Sequence, residues 1–311
     1  MSAPWTASTL ERAACAATDS AALAALSGLA ELMVTVCPAR TLDLASALPT
    51  FPEPMMATFI SSPLRVRLVD PRTKTASGGH FIRPIAMSLD WKPARVPQRE
   101  ALIAATVRLD PIDVERHARP LFNASHGDGA ADAIFRYLPY GPFARFHDFK
   151  VWLDQRAASE DPLFFAIAGN ESGSPEGMAS FMRMAPEHGV IEIGHIWFAP
   201  TLQRTRQATE AIYLMARHAF DDLGNRRLEW KCDAENERSR RAAERFGFTF
   251  EGVFRQHMVI KGRNRDSAWF SILDRDWPPI RAAFETWLGG DNFDADGRQR
   301  RSLAEIRESR V

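Results

Sequence analysis

Glu192 and His195 lie three positions apart and are residue types suited to acid–base chemistry. Carboxylate and imidazole side chains are common general bases at neutral pH. Residues 190–198 are strongly apolar and predict a strand, along which strict alternation turns positions 192 and 195 to opposite faces. Both side chains can therefore reach one pocket only where the strand is bulged. Two other interpretations stay open: Glu192 lies on an exposed face or in an ion pair, and His195 is a satisfied polar residue.

The segment after this strand could hold an anion. Residues 205–223 predict an amphipathic helix that ends at Gly224, because their apolar positions recur at helical spacing. The first N–H groups of a helix lack intrahelical partners and lie at the positive end of its dipole, so they favour a pyrophosphate. Arg204 and Arg206 stand at this helix start and add charge and donors, although two solvated arginines would look the same.

The remaining pattern from residue 104 onward mixes short strands with helices. The predicted strands are residues 106–109, 163–168, 177–184, 227–232, 250–256 and 268–273. The predicted helices are residues 114–126, which Asp113 caps, residues 146–158 and residues 236–246. This order predicts an α/β (α+β) fold with a mixed central sheet and helices on both faces.

Composition narrows the possible partners. The 311 residues include 39 Lys plus Arg and 39 Asp plus Glu, so no overall field draws the protein to nucleic acid or anionic lipid. The three cysteines lack CxxC spacing, which predicts neither a zinc site nor a disulfide framework and favours a reducing, cytoplasmic setting. The alanine-rich residues 13–30 include Asp19 and serines and lack a basic leader, so we expect neither a signal peptide nor a membrane span. The sequence implies no metal.

The sequence divides into three predicted regions. Residues 1–103 are expected to be a poorly structured, largely irregular extension with one short helix over residues 8–36, because ten of the twenty prolines fall in residues 1–100. Residues 104–288 form the predicted catalytic domain, and residues 289–311 a charged, exposed tail. Residues 1–86 could form a partner-binding arm, as the alanine- and leucine-containing segment at residues 23–32 suggests, and Met87 could be an alternative start.

Several motifs recur in a fixed order along the predicted domain. They are Glu192-Ile193-Gly194-His195, Pro200, Ala208-Thr209-Glu210-Ala211, Asn236-Glu237-Arg238-Ser239 and Arg245-Phe246-Gly247-Phe248. Together they resemble the acetyl-CoA-binding core of the GNAT superfamily, particularly its RimJ/RimL-like branch, over about residues 104–280. The resemblance implies a mostly antiparallel sheet, a bulge in the strand at residues 190–198, and acetyl-CoA as the co-substrate.

The resemblance also assigns coenzyme-binding residues. Backbone groups of Trp197 and Phe198 would pair with the pantetheine arm and stabilise the oxyanion, although both side chains could be core aromatics. The pyrophosphate cradle falls on Gln203, Arg204, Thr205, Arg206, Gln207, Ala208 and Thr209, with Asn236 nearby. The family usually has two glycines where Arg204 and Arg206 stand, which puts the close backbone approach to phosphate in question.

Catalytic and acceptor-binding residues follow from the same resemblance. Glu192 matches the family's general base, and His195 is the competing base. Ala243 replaces the tyrosine that commonly protonates the departing thiolate, and Ser239 is a candidate substitute, although Asn236 and Ser239 could merely cap a helix. The stretch that contains Tyr137, Tyr140 and Phe143 resembles the segment that forms the wall of the acceptor-binding site in the family. These side chains could instead fill the core.

The implied activity is N-acetyl transfer from acetyl-CoA to a primary amine, by direct attack in a ternary complex. The acceptor could be a protein N-terminus or a small molecule, and the protein a monomer or homodimer. The lost glycines and the lost tyrosine also permit an alternative, a non-catalytic acyl-CoA-binding or regulatory module.

Overall fold

The computed structural model describes residues 90–309. The expected helix at residues 8–36, the partner-binding arm of residues 1–86 and the start at Met87 lie outside the described residues. Residues 90–101 contain no helix or strand, but the indole N–H of Trp91 donates to the carbonyl oxygen of Glu187 (3.0 Å) and so ties this segment to the domain.

One sheet of eight strands organises the described residues. The strands are β1 (Leu102–Ile103), β2 (Val107–Pro111), β3 (Leu163–Gly169), β4 (Pro175–Ala185), β5 (Val190–Phe198), β6 (Arg227–Asp233), β7 (Thr249–Ile260) and β8 (Arg263–Leu273). Their order is β1-β2-β3-β4-β5-β6-β8-β7, and every neighbouring pair is antiparallel except β5 and β6. The predicted fold class, a mixed and mostly antiparallel sheet, is confirmed.

Helices cover both faces of the sheet. They are α1 (Val114–His126), α2 (Ala131–Phe135), α3 (Phe146–Ala157), α4 (Arg206–Arg217), α5 (Glu237–Arg245), α6 (Trp277–Leu288) and α7 (Leu303–Glu308). Alternation along β3 separates two cores: Phe165 packs in the cluster that includes residues of α4 and α6, whereas Phe164 packs in the cluster that includes residues of α1 and α3. No helix within residues 90–309 is long and apolar enough to cross a bilayer.

The β7–β8 hairpin is longer than the sequence predicts. The sequence predicts that the first strand ends at residue 256 and the second begins at residue 268. In the structure both strands extend to a two-residue turn at Lys261 and Gly262. Both turn residues have positive φ, 50° and 73°, the backbone of a type I′ turn that suits strand twist. The polar residues near this turn are largely exposed, so the expected apolar alternation is missing there.

The C-terminal segment differs from the predicted exposed tail. After α6, a chain reversal leads to α7, whose Leu303 and Ile306 are only 1% exposed. Ser302 and Glu305 form a capping box at the start of α7, each side chain accepting from the other's backbone N–H. Two apolar residues among many charged ones are enough to fix the helix because both are buried against the domain.

Candidate active site

β5 and β6 separate at the centre of the sheet. They pair from Val190 opposite Arg227 only as far as Glu192 opposite Glu229, after which β5 continues along β4 to Phe198. From this point the edge of β5 that faces β6 has no strand partner within residues 90–309. The separation forms part of a cleft of about 1840 Å³, here called the central cleft, which residues 203–209 at the start of α4 also line.

A β-bulge in β5 determines which side chains enter the central cleft. Gly194 lies opposite Ser180 but Trp197 lies opposite Met178, so β5 has an extra residue, and His195 has a φ of 53°. Both Glu192 and His195 consequently line the central cleft. The bulged strand that a shared pocket requires is therefore present.

Glu192 is buried and ion-paired, as one of the interpretations of the sequence allowed. Its Oε2 accepts a hydrogen bond from Lys231 Nζ at 2.9 Å, and Arg183 Nε lies 3.6 Å from the same atom. Burial raises the pKa of Glu192 above its ordinary value, while Lys231 and Arg183 oppose the rise. Oε1 has no hydrogen-bond partner among the described residues, so one oxygen of the carboxylate is available to a ligand or water.

His195 is a neutral imidazole at neutral pH. Burial lowers its pKa to about 4, and the nearby charges of Arg156, Arg183 and Arg265 add to the effect. Its ring lies 5.0 Å from that of Phe164 and 5.5 Å from that of Tyr140, measured between centroids. A neutral imidazole can accept a hydrogen bond from an amine, but so low a pKa makes it a weak base.

The structure separates the roles of Asn236 and Ser239. Asn236 caps α5, because its Oδ1 accepts from the backbone N–H of Ser239 at 3.2 Å. The Ser239 hydroxyl does not cap the helix; it accepts from the indole N–H of Trp230 at 3.0 Å. Ser239 lines the central cleft, and the buried Ala243 offers no polar group there.

A side-chain cap begins helix α4. Thr205 is the N-cap, its Oγ1 accepting from the N–H of Ala208 at 3.1 Å. Arg204 is exposed and holds the left-handed φ of 63°, a conformation suited to glycine. Arg206 directs its guanidinium to the carbonyl oxygen of Leu288 and the ring of Phe293 instead of into the cradle.

The other predicted cradle residues surround this helix start. The Gln203 side-chain amide donates to the carbonyl oxygen of Phe198 at 2.9 Å. Thr209 is buried, and its Oγ1 accepts from Arg245 Nη1 at 3.2 Å. Residues 203–209, Trp197, Phe198 and Asn236 all line the central cleft, so the structure brings the predicted coenzyme-binding residues together.

The three candidate acceptor-binding residues do not lie together. Tyr137 lines the central cleft and donates from its hydroxyl to the carbonyl oxygen of Glu235 at 3.3 Å. Tyr140 and Phe143 instead pack in the aromatic core beneath α1 and α3, each against Trp152. For these two residues the arrangement matches the core-filling alternative.

Three charged residues of the cleft were not identified from the sequence. Lys231, Arg183 and Arg265 all line it beside Glu192. Alternation in β6 carried a usable signal for Lys231: with residues 228, 230 and 232 on the apolar face, it must lie on the other. Arg183 and Arg265 gave no local signal, because bulges and long-range strand pairing bring them to the site.

The chain is similar in sequence and in fold to known acetyltransferases. Residues 106–249 match the family model described as "Acetyltransferase (GNAT) domain". The crystal structure of a GCN5-related N-acetyltransferase from Brucella melitensis shares 47% identity, covers 70% of this chain and 99% of its own, and has a TM-score of 0.69. A probable GNAT acetyltransferase from Chromobacterium violaceum shares 40% identity over 68% and 98% of the two chains, with a TM-score of 0.57.

Curated relatives point to the same family. The N-acetyltransferase p20 of Bacillus licheniformis is 30% identical over 151 residues, 46% of this chain and 82% of the relative. YdaF of Bacillus subtilis, provisionally named a ribosomal N-acetyltransferase, is 31% identical over 105 residues; the match spans 34% of this chain and only 57% of YdaF. The chain belongs to the GNAT family of N-acetyltransferases.

Proposed function

We propose that the protein transfers the acetyl group of acetyl-CoA directly to a primary amine within a ternary complex. The separation of β5 and β6 beyond Glu192 is the observation that carries this proposal. It leaves backbone donors and acceptors of β5 free to contact an extended ligand in the central cleft. Trp197 and Phe198 lie on this part of β5, where a backbone N–H can stabilise the developing oxyanion.

The coenzyme's phosphates fit the end of the central cleft at α4. The first N–H groups of α4 are free of intrahelical bonds and lie at its positive dipole end. Arg204 immediately precedes α4, and Arg238, Arg241 and Arg298 also line the central cleft, the last two paired with Glu237 and Asp296. This concentration of positive charge compensates for the missing glycines, because a guanidinium can reach a phosphate that the backbone approaches less closely.

The amine must lose a proton to attack the thioester carbonyl carbon. Glu192 is the proposed base, receiving the proton directly or through water at Oε1 while Lys231 and Arg183 hold Oε2. Its raised pKa favours proton acceptance. His195 is the alternative base, weakened by its low pKa.

The carbon–sulfur bond breaks as the amide forms, and the sulfur leaves as a thiolate that then takes a proton. Ser239 is the proposed donor, because its hydroxyl lines the central cleft and accepts from Trp230; the same hydroxyl is also hydrogen-bonded to the Cys232 thiol. The acceptor is proposed to be a protein N-terminus or a small-molecule amine. YdaF's name favours the first class, but that match covers about half of YdaF.

Calorimetric titration of the full chain with acetyl-CoA, followed by thiol-release assays over amines and N-terminal peptides, tests this function. Glu192→Gln should lower kcat/KM by about 100-fold or more if Glu192 is the base. Glu229→Gln is the matched control, since Glu229 is also bonded to Lys231 (2.6 Å) but does not line the cleft. Binding without release of thiol in the presence of any amine would favour the non-catalytic module.

A further inference from the structure

Arg265 is a half-buried cation without a counterion. It lines the central cleft from β8, and no carboxylate of the described residues lies within ion-pair distance of its guanidinium. Its Nε is buried and has no hydrogen-bond partner. The two cations that contact Glu192 are paired: Lys231 with Glu192 and Glu229, and Arg183 with Glu192.

A half-buried guanidinium without a counterion raises the free energy of the protein when no ligand is bound. Removing a charge from water is unfavourable unless a partner supplies both charge and hydrogen bonds. Burial accordingly lowers the pKa of Arg265. A ligand oxyanion would satisfy the group, because the guanidinium fork matches the oxygens of a carboxylate or a phosphate.

The β7 backbone next to the partner of Arg265 is bulged. The pairing of β7 with β8 shifts between Phe254 and Met258, and Gln256 takes the left-handed φ of 51° while its N–H donates to Asp266 Oδ1 at 2.7 Å. The bulge brings His257 to the cleft, where its Nδ1 is hydrogen-bonded to Ser267 Oγ at 2.8 Å.

The charged neighbours of Arg265 place it in a different part of the central cleft from the proposed phosphate site at the start of α4. Its electrostatic neighbours are Glu192, Asp233 and Arg183, which lie on the strands near the proposed base and not at the start of α4. Asp233 lies beyond ion-pair distance, and its Oδ1 already accepts from the N–H of Glu235. Arg183 and Arg265 together lower the pKa of both His195 and His257, after burial, which indicates a positive local field.

We propose that the acceptor amine carries an oxyanion, a carboxylate or a phosphate monoester, and that Arg265 binds this group in the central cleft with Arg183 beside it. This inference rests on the proposed acetyl transfer and narrows its acceptor class. An amine held at its anionic end by Arg265 would lie near Glu192, where proton removal is proposed. The two oxyanions use the same chemistry, so separate probes must distinguish them.

The test is a solution NMR titration of the full chain saturated with CoA, so that the phosphate end of the cleft is filled. Inorganic phosphate and acetate are added separately at constant ionic strength, and the His257 ring resonances report binding. We expect at least one probe to bind saturably, with the dissociation constant raised about tenfold by Arg265→Gln and less by Arg265→Lys. Whichever probe binds more tightly identifies the oxyanion.

Arg263→Gln is the matched control, because Arg263 is on the same hairpin but its side chain is 66% exposed and does not line the cleft. It should leave the titration unchanged. Absence of saturable binding for both probes, or equal binding by Arg265→Gln, overturns the inference while leaving acetyl transfer intact. Failure of CoA itself to bind would instead overturn the proposed function. Urea unfolding confirms that each variant is folded.

Discussion

Arg206 donates a hydrogen bond to the carbonyl oxygen of Leu288, joining the first turn of α4 to the end of α6. Its guanidinium also lies 4.8 Å from the ring centroid of Phe293. Phe293 and Gln299 line the central cleft, and Gln299 Oε1 accepts from the indole N–H of Trp287 at 2.9 Å. Arg206, which stands where the family resemblance implies a glycine, therefore anchors a C-terminal wall of the central cleft.

Arg206→Ala should destabilise the protein. A hydrogen bond to a charged donor contributes about 1.5–3 kcal/mol, and the carbonyl of Leu288 would lose its partner. We expect the free energy of unfolding in urea to fall by about this amount. Arg298→Ala is the control, since that side chain is 79% exposed and should change stability by less than about 0.5 kcal/mol. Equal stability of Arg206→Ala and wild type would contradict the anchoring role.

Arg204 separates backbone strain from charge. At a φ of 63° a side chain costs roughly 1 kcal/mol relative to glycine, so Arg204→Gly should be about 1 kcal/mol more stable than Arg204→Ala. Both variants lose the same charge. If Arg204 contacts phosphate through its guanidinium, calorimetry should show acetyl-CoA affinity falling equally in both, by about two- to fivefold. Tighter binding by Arg204→Gly would show that close backbone approach matters instead.

The fold was predictable where a local pattern decides the structure. Apolar periodicity placed the strand over residues 190–198 and the helix that begins at Thr205, and both agree with the structure to within a residue at those ends. The length of the β7–β8 hairpin and the helix α7 were not predicted, because polar residues dominate both segments. Only tertiary contacts bury Leu303 and Ile306.

The candidate site was predictable only in the part that local sequence patterns determine. The sequence could state that Glu192 and His195 share a pocket only across a bulge, and the left-handed backbone at His195 supplies it. It could not supply the pairing of Glu192 with Lys231, because the two residues lie on strands that meet only through the parallel β5–β6 contact. Nor could it separate Tyr137 on the cleft from Tyr140 in the core.

Lys231 should be essential to stability. Its side chain is 5% exposed and bridges the carboxylates of Glu192 (2.9 Å) and Glu229 (2.6 Å). Lys231→Met would leave Glu192 with only Arg183 at 3.6 Å and Glu229 with only Arg227 at 2.7 Å, so we expect the low end of the cost of breaking a buried pair, about 3 kcal/mol. Lys150→Met removes the exposed pair with Glu115 and should cost less than about 1 kcal/mol. Urea unfolding at pH 7 compares the two variants, and similar losses would refute the difference between buried and exposed pairs.

His195 should make the native state sensitive to acid. Its pKa of about 4 lies below the ordinary histidine pKa of 6.5, so between these pH values the unfolded chain binds more protons than the native protein. The stabilisation is present above pH 6.5 and is lost as the pH falls toward 4, by on the order of 3 kcal/mol, since each unit is worth about 1.4 kcal/mol.

His195→Asn is the informative variant because asparagine tolerates the φ of 53° and does not titrate. The other histidines with lowered pKa, His117, His126 and His257, remain in both proteins, so the difference between the two stability curves isolates His195. Urea unfolding from pH 7.5 down to pH 4.5 should show a smaller decline in the variant. Parallel curves would mean that His195 has the same pKa in the folded and unfolded chain. The imidazole would then be a base of ordinary strength and a candidate equal to Glu192.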